Sequence, residues 1–416
     1  MTTATASAAE TITQGPAAID AAQRYARSIA GGVIDRDRAG KVPYRELAEF
    51  DASGLLAITV PREHGGLGLP ATVLAEVIRA IATVDPAIAQ VPQGHFLMVD
   101  VLSVHGPQTQ QSRLFAEVLA GGRLGNALAE RGGQHAQDLR TRLRGTNGRT
   151  RLDGRKYYCT GAITARWIGV SALDDAGHLV LAFVARDAPG VQIDDDWDVM
   201  GQRATVSGTA TFEDVAVDPG LVIPYHRAFE IPQQLGARAQ LVHTAIQVGI
   251  AGGALRDARE FVRTRARPFF EASRAGWTPQ TGQQGQAGQQ GQAGHDPHTI
   301  QRFGRLATQV RAAEVMLAAA AATLDEITLF PRDAAAAARG SLAVAQAKAF
   351  ASEVAVSVAS DLFSLTGASA ADERHDLSRH WRNARTHASH DPVDWKYHHV
   401  GNFELNDVLP PNHGQL

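Results

Sequence analysis

Residues 141–159 read TRLRGTNGRTRLDGRKYYC, and this stretch decides the fold class. Its alternation is closer to a strand than to a helix, and it carries two hairpin signals, Asn147-Gly148 and Asp153-Gly154. Downstream, His178 to Ala185 (HLVLAFVA) is a continuous apolar run short enough for a buried strand. Ala204 to Val217 (ATVSGTATFEDVAV) is rich in Thr and Val, as strands are. The spacing therefore predicts a small β-domain over 123–234.

Helical spacing lies on both sides of it. Before it come Ala17 to Ile29, closed by Gly31-Gly32 as a C-cap, a segment opened by Pro43, Val73 to Ile81, one long segment from Ala87 to Val104, and Pro107 to Leu119. After it come Leu241 to Arg267, stopping before Pro268, then Thr299 to Leu329, Asp333 to Leu365 and Asp376 to Ser389. The expected class is α+β: an N-terminal helical domain over 15–122, the β-domain as a barrel or sandwich, and a C-terminal helical bundle over 235–416. Residues 1–14 are expected to form a disordered tail. The segment Gln283 to Gly288 (QQGQAG) repeats at once as Gln289 to Gly294, so 276–296 is expected to be a mobile loop.

Composition narrows the function. The chain has 416 residues, 44% hydrophobic and 20% charged, the usage of an enzyme-sized globular protein. A formal net charge of -3 leaves no basic excess for nucleic acid or an anionic membrane. No run of eighteen apolar residues is evident, so no membrane span is expected. The single cysteine, Cys159, excludes an internal disulfide and a multi-cysteine metal site, and fits a cytoplasmic location. It reads as a small apolar filler.

Several motifs follow the helical–β–helical order. Pro61-Arg-Glu-His-Gly-Gly-Leu-Gly68, Met200-Gly201-Gln202-Arg203 with Thr211 to Val217 (TFEDVAV), and Gly249-Ile250-Ala251 leading to Phe261-Val-Arg-Thr-Arg265 resemble passages of the acyl-CoA dehydrogenase superfamily. Asn126 to Arg131 (NALAER), Tyr157 to Gly161 (YYCTG), Asp195-Asp196-Trp197, Arg265-Ala-Arg-Pro268 and Trp381 to Pro392 (WRNARTHASHDP) resemble its dibenzothiophene monooxygenase branch. They are still more similar to the branch's sulfur-acquisition oxidoreductases associated with dimethylsulfone use. The resemblance implies a reduced-flavin-dependent monooxygenase that oxidises a small organosulfur compound through a flavin C4a-(hydro)peroxide. It further implies FMN, with FAD as the alternative, a separate NAD(P)H:flavin reductase, molecular oxygen and a homotetramer.

Dehydrogenases of the superfamily use a glutamate late in the bundle, where this chain has Ser389-His390-Asp391-Pro392. The resemblance assigns His390 as donor near the oxygen adduct, with Asn126 and Thr160 on the β-domain side of the flavin. Tyr158 and Trp197 could wall the ring or the substrate, and His95 is expected to line the substrate pocket. Arg267, with Arg265 beside it, is expected to reach the flavin phosphate. Gly367 and Ser369 resemble a segment lent by a neighbouring subunit; dibenzothiophene monooxygenase has arginine at the counterpart of Ser369. Asp391 leaves an acyl-thioester dehydrogenase open. A flavin-dependent N-hydroxylase and a member that only binds flavin or a sulfur ligand also remain open. Without the resemblance, His387 and His390 would be an ordinary i,i+3 pair, and no third and fourth ligand argues for a metal. The arginines would be a solvated helix end. Gly249, Gly252 and Gly253 read as close helix contact, not a dinucleotide loop.

Overall fold

The computed structural model describes residues 12–135, 138–146, 149–275, 292–329 and 331–416. The expected tail up to residue 11, the Asn147-Gly148 signal and 276–291 of the Gln/Gly loop lie outside them. The described edges of the tail and the loop are anchored: Ile12 and Ala293 are both buried in the main core.

Seven helices open the chain: α1 (Gly15–Ile29), α2 (Val33–Ala39), α3 (Tyr44–Ala52), α4 (Ala71–Ala82), α5 (Pro86–Gln90), α6 (Gln93–His105) and α7 (Gln108–Leu119). Gly31-Gly32 does not cap α1. A 3-10 turn carries the chain straight into α2, and Gly40, at φ +56°, makes the left-handed stop. The segment expected to run unbroken from Ala87 to Val104 is two helices. Asp85 caps the first by accepting from the Ile88 N–H at 3.1 Å, and Pro92 ends it because Val91 precedes a ring that cannot donate.

The middle strands are β1 (Leu124–Ala127), β2 (Arg142–Thr146), β3 (Arg149–Lys156), β4 (Trp167–Leu173), β5 (Leu179–Ala185), β6 (Val191–Ile193), β7 (Ala210–Val217) and β8 (Val222–Ile223). They form one mixed sheet in the order β6-β7-β3-β2-β4-β5-β8, with β1 parallel to β4. Its halves meet through one register pair, Arg142–Leu173, and enclose a second core containing Leu152, Phe212 and Val215 from one half and Ile168, Val170 and Val184 from the other. Asp153-Gly154 is no turn. It lies inside β3 at a register shift, where a Cβ on Gly154 would meet Thr141 Oγ1 at 2.3 Å. Of the Ala204–Val217 run, only Ala210–Val217 is strand; the rest is a loop with Val206 at positive φ.

The bundle comprises α8 (Leu235–Thr264), the short α9 (Phe270–Arg274), α10 (Pro297–Asp325), α11 (Ala334–Thr366), α12 (Ser378–Ala388) and α13 (Val393–Asn406). α13 lies beyond the last predicted helix, Asp376 to Ser389. By length and mean hydropathy alone α11 could cross a bilayer, but 67% of its most apolar window is buried, and it packs on α8 and α10 as a core helix. Both helical domains share one apolar core. Their seam is α4 against α8, where Gly249 and Gly253 let the backbones close up. A Cβ at Gly249 would lie 2.4 Å from the Ala82 Cβ, and one at Gly253 would lie 2.5 Å from the Thr83 carbonyl oxygen. Gly252 faces open space, its nearest neighbour being Thr83 Oγ1 at 3.8 Å. Gly249→Val should therefore cost about 2–3 kcal/mol by overpacking, while Gly252→Ala should be neutral or stabilising by up to about 1 kcal/mol. Urea unfolding midpoints of the two variants check this.

Candidate functional site

The turn between α12 and α13 is Ser389-His390-Asp391-Pro392, and its conformation is fixed from below. Asp391 is 8% exposed, its carboxylate bonded to the buried Lys348 of α11 and ion-paired at 3.0 Å to the buried Lys396 of α13. Gln240 of α8 accepts a further bond from Lys348. Burial alone would raise the Asp391 pKa, but the His390 hydrogen bond and the two ammonium charges outweigh it and hold the carboxyl well below the usual range. Burial likewise pushes Lys348 down to about 8, against the attraction of Asp391. An anion stabilised this strongly has little proton affinity left, so Asp391 is ill suited to take a proton from carbon. What it does is hold His390: Nδ1 lies 3.3 Å from Asp391 Oδ1, and the side chain is 45% exposed.

Two further histidines back this turn. The His243 ring of α8 lies 4.1 Å from that of His390 and 5.1 Å from that of His387. His243 Nδ1 and His387 Nε2 are 3.3 Å apart, and His387 Nδ1 lies 2.8 Å from Gln90 Oε1 and 3.3 Å from Gln202 Nε2. All three parts of the chain thus converge on His387. Burial pushes its pKa down to about 3 and that of His243 well below the ordinary value, so both are neutral packing partners.

Asn126, Tyr158, Thr160 and Trp197 stand on the β-domain. Its loop 157–161 is tied to loop 206–208 by Cys159 N–H to Gly208 O at 3.0 Å and Gly161 N–H to Val206 O at 3.3 Å. Thr160 Oγ1 meets Ser207 Oγ at 2.7 Å, Ser207 Oγ meets Thr205 Oγ1 at 2.8 Å, and Thr205 donates to the Gln202 carbonyl at 3.0 Å. Trp197 Nε1–H donates to the same carbonyl at 2.9 Å, and the Gln202 N–H donates to Asn383 Oδ1 of α12 at 2.5 Å. The exposed Tyr158 packs edge-on to Trp197, with ring centres 6.1 Å apart, and the Arg131 guanidinium lies 4.7 Å from its ring. Asn126 sits on β1, packed on Gly94 of α6; its buried Oδ1 has no hydrogen-bond partner among the described residues. Cys159 is buried and its thiol is pushed up to about 12, first by burial, as suits a filler.

His95 is placed differently from its expected pocket role. It is fully buried, its Nε2–H donates to the Leu56 carbonyl at 2.8 Å and its Nδ1 accepts from the Leu124 N–H at 3.1 Å. Both ring nitrogens are spent joining the N-terminal domain to β1. Arg265, Arg267, Gly367 and Ser369 are exposed at the far end of the bundle. Arg265 caps α8 and reaches His375 at 3.3 Å, while Gly367 caps α11 at φ +73°. From His243 to the end of α8 at Thr264 the helical rise amounts to about 30 Å.

Lys348, Lys396, His243, Gln90, Gln202, Thr205 and Ser207 were missed by sequence reasoning. The available signal was Gln240, His243 and Gln247 interrupting an apolar helix. The buried neutral histidines also set an acid sensitivity. His95 and His380 are pushed down to about 4, and His387 to about 3, all primarily by burial. The unfolded chain binds these protons near pH 6.5 and the folded one refuses them, so stability must fall as pH drops from about 6.5 toward 4. The urea midpoint should decline between pH 7 and 5.5, and His387→Gln should flatten that decline; a midpoint independent of pH would contradict the assignment.

Comparison with known proteins agrees with this architecture. Residues 17–122, 127–215 and 241–395 match the N-terminal, middle and C-terminal domain models of acyl-CoA dehydrogenase. A dibenzothiophene monooxygenase of Rhodococcus erythropolis is 33% identical over 398 residues, 91% of this chain and 90% of that protein. A probable FMNH2-dependent monooxygenase of Pseudomonas putida, SfnC, is 31% identical over 94% of this chain and 96% of its own. The crystal structure of FMN-bound TdsC from Paenibacillus sp. A11-2 superposes with a TM-score of 0.87 at 30% identity, covering 96% of this chain and 100% of that one. The chain therefore belongs to the acyl-CoA dehydrogenase family, on the branch that contains dibenzothiophene monooxygenase.

Proposed function

We propose that this chain is the oxygenase component of a two-component system. Reduced FMN comes from a separate NAD(P)H:flavin reductase, and molecular oxygen oxidises a small organosulfur compound. One oxygen atom goes to sulfur, the other leaves as water, and FMNH2 supplies the two electrons. The observation that carries this reading is the locked His390–Asp391 pair. Where a dehydrogenase of this family needs a carboxylate base, this chain presents an imidazole whose carboxylate partner is held by Lys348 and Lys396. The names of the relatives, a dibenzothiophene monooxygenase and a probable FMNH2-dependent monooxygenase, support it.

The residues present fit a flavin. Asn126 offers a buried oxygen with no partner among the described residues, Thr160 a hydroxyl on a residue 8% exposed, and Tyr158 with Trp197 an aromatic wall. His390 would hold a proton toward the reacting oxygen, and the buried His243 and His387 would keep bulk water from the side of the imidazole they cover. Arg267 and Arg265, with Gly367 and Ser369, offer guanidinium and backbone groups for a phosphate. Arg265 closes α8 about 30 Å of helical rise from His243, the residue packed on His390, and that exceeds what a mononucleotide can bridge. We read the phosphate end of each flavin as supplied by a second copy, which makes the working form a homo-oligomer, the homotetramer the resemblance implies. A cytoplasmic setting suits the lone buried thiol.

His390→Ala should lower sulfur oxygenation by about 10²–10³-fold and make hydrogen peroxide appear without delay when the reduced-FMN enzyme meets oxygen; unchanged oxygenation would refute the role. Co-expressed His390→Ala and Arg267→Ala chains should recover up to about a quarter of wild-type turnover, since each restores sites its partner lacks. Recovery no greater than the sum of the two variants would exclude a site shared between copies.

A further inference from the structure

Thr160, Ser207 and Thr205 form a run of hydroxyls that ends on a group able only to accept. Their separations are 2.7 and 2.8 Å, and Thr205 Oγ1 lies 3.0 Å from the Gln202 carbonyl. All three residues are buried, at 8%, 4% and 0% exposure. Each hydroxyl carries one proton. The three bonds form together only if Thr205 donates to the carbonyl, Ser207 to Thr205, and Thr160 to Ser207. Reversing the run would leave two oxygens facing each other at 3.0 Å with no proton between them. Thr160 therefore has its proton committed inward, and only lone pairs remain at its exposed edge.

Taking the reading above, in which Thr160 stands at the flavin, we propose that Ser207 and Thr205 are positioning residues that fix Thr160 as a hydrogen-bond acceptor, so that the site selects reduced over oxidised FMN. Flavin N5 carries a proton in the reduced form and none in the oxidised form. Reduced FMN can donate to Thr160 with the run undisturbed. Oxidised FMN must draw the proton of Thr160 outward, and with one proton diverted the run keeps only two of its three bonds. The carbonyl is not free to move in compensation, because the Trp197 indole and the Thr205 N–H, at 2.9 and 3.2 Å, already pin it. Selection of this kind suits an oxygenase that receives its flavin already reduced and must release it oxidised.

The test is the ratio of dissociation constants for oxidised and reduced FMN, measured anaerobically on the wild-type protein and on Thr205→Val, Ser207→Ala and Thr205→Ser. Wild type should favour reduced FMN. Thr205→Val and Ser207→Ala should lower the preference by several-fold to about tenfold, the worth of one hydrogen bond, and Thr205→Ser should retain it. A tenfold loss lowers the midpoint potential of the bound two-electron couple by about 30 mV. The proposal falls if the variants weaken both forms by the same factor, or if wild type binds both equally. Thermal melts of Thr205→Ser and Ser207→Ala report whether each variant folds. Failure of wild type to bind either form would overturn the flavin reading itself; equal binding overturns only the selection.

Discussion

Asp391 under two lysines is the constraint on which the site depends. Three ionised groups with side chains 8% exposed or less meet there, drawn from α11, α13 and the turn between α12 and α13. Removing charges from water is expensive, and a buried carboxylate is tolerable only because each oxygen faces an ammonium group. The cluster is thus no free source of stability. It makes one arrangement of the turn far better than its neighbours. A slip of one residue would bury the imidazole and expose the carboxylate, leaving two lysines uncompensated. The orientation of His390 is inherited, through Asp391, from Lys348 of α11 and Lys396 of α13.

The order helical, β, helical was legible because periodicity is a local property and each domain has its own. What escaped was whatever depends on partners distant in sequence. Ala87 to Val104 is mostly apolar, and the pyrrolidine of Pro92 divides it. Asp153-Gly154 has the composition of a turn, yet Thr141 across the sheet turns it into a bulge. In the site, His390 and Asp391 stood out through a motif, but their supports lie 43 and 5 residues from Asp391 in the chain, at Lys348 and Lys396. His95 illustrates the reverse error. Its helix is in place, and the imidazole turns to the Leu56 and Leu124 backbone, which no periodicity reveals. Thr205 and Ser207 were hidden because Thr and Val-rich sequence looks like strand whether or not it pairs.

The length of α8 has its own meaning. It carries His243 against the turn at one end and Arg265 at the other, and it is packed by α4, α11 and α12 along the way. A helix so enclosed cannot bend to bring its ends together. Whatever groups it displays at both ends must serve different ligands, or the same ligand in different copies.

The two cores have a consequence for how such a protein can change. Thr160, Trp197 and Asn126 stand on the β-domain, whereas His390 and His243 stand on the helical body. The bodies are clamped at a few points, among them Gly201, where a Cβ would strike the Arg382 carbonyl oxygen at 2.0 Å, and the Asn383 bond to the Gln202 N–H. The β-domain's own core contains none of Thr160, Trp197 and Asn126, so any cleft beside them is bounded by side chains outside that core. Substitutions on the facing loops can widen or narrow it without disturbing either interior, so a lineage can explore new substrates while its cores stay still.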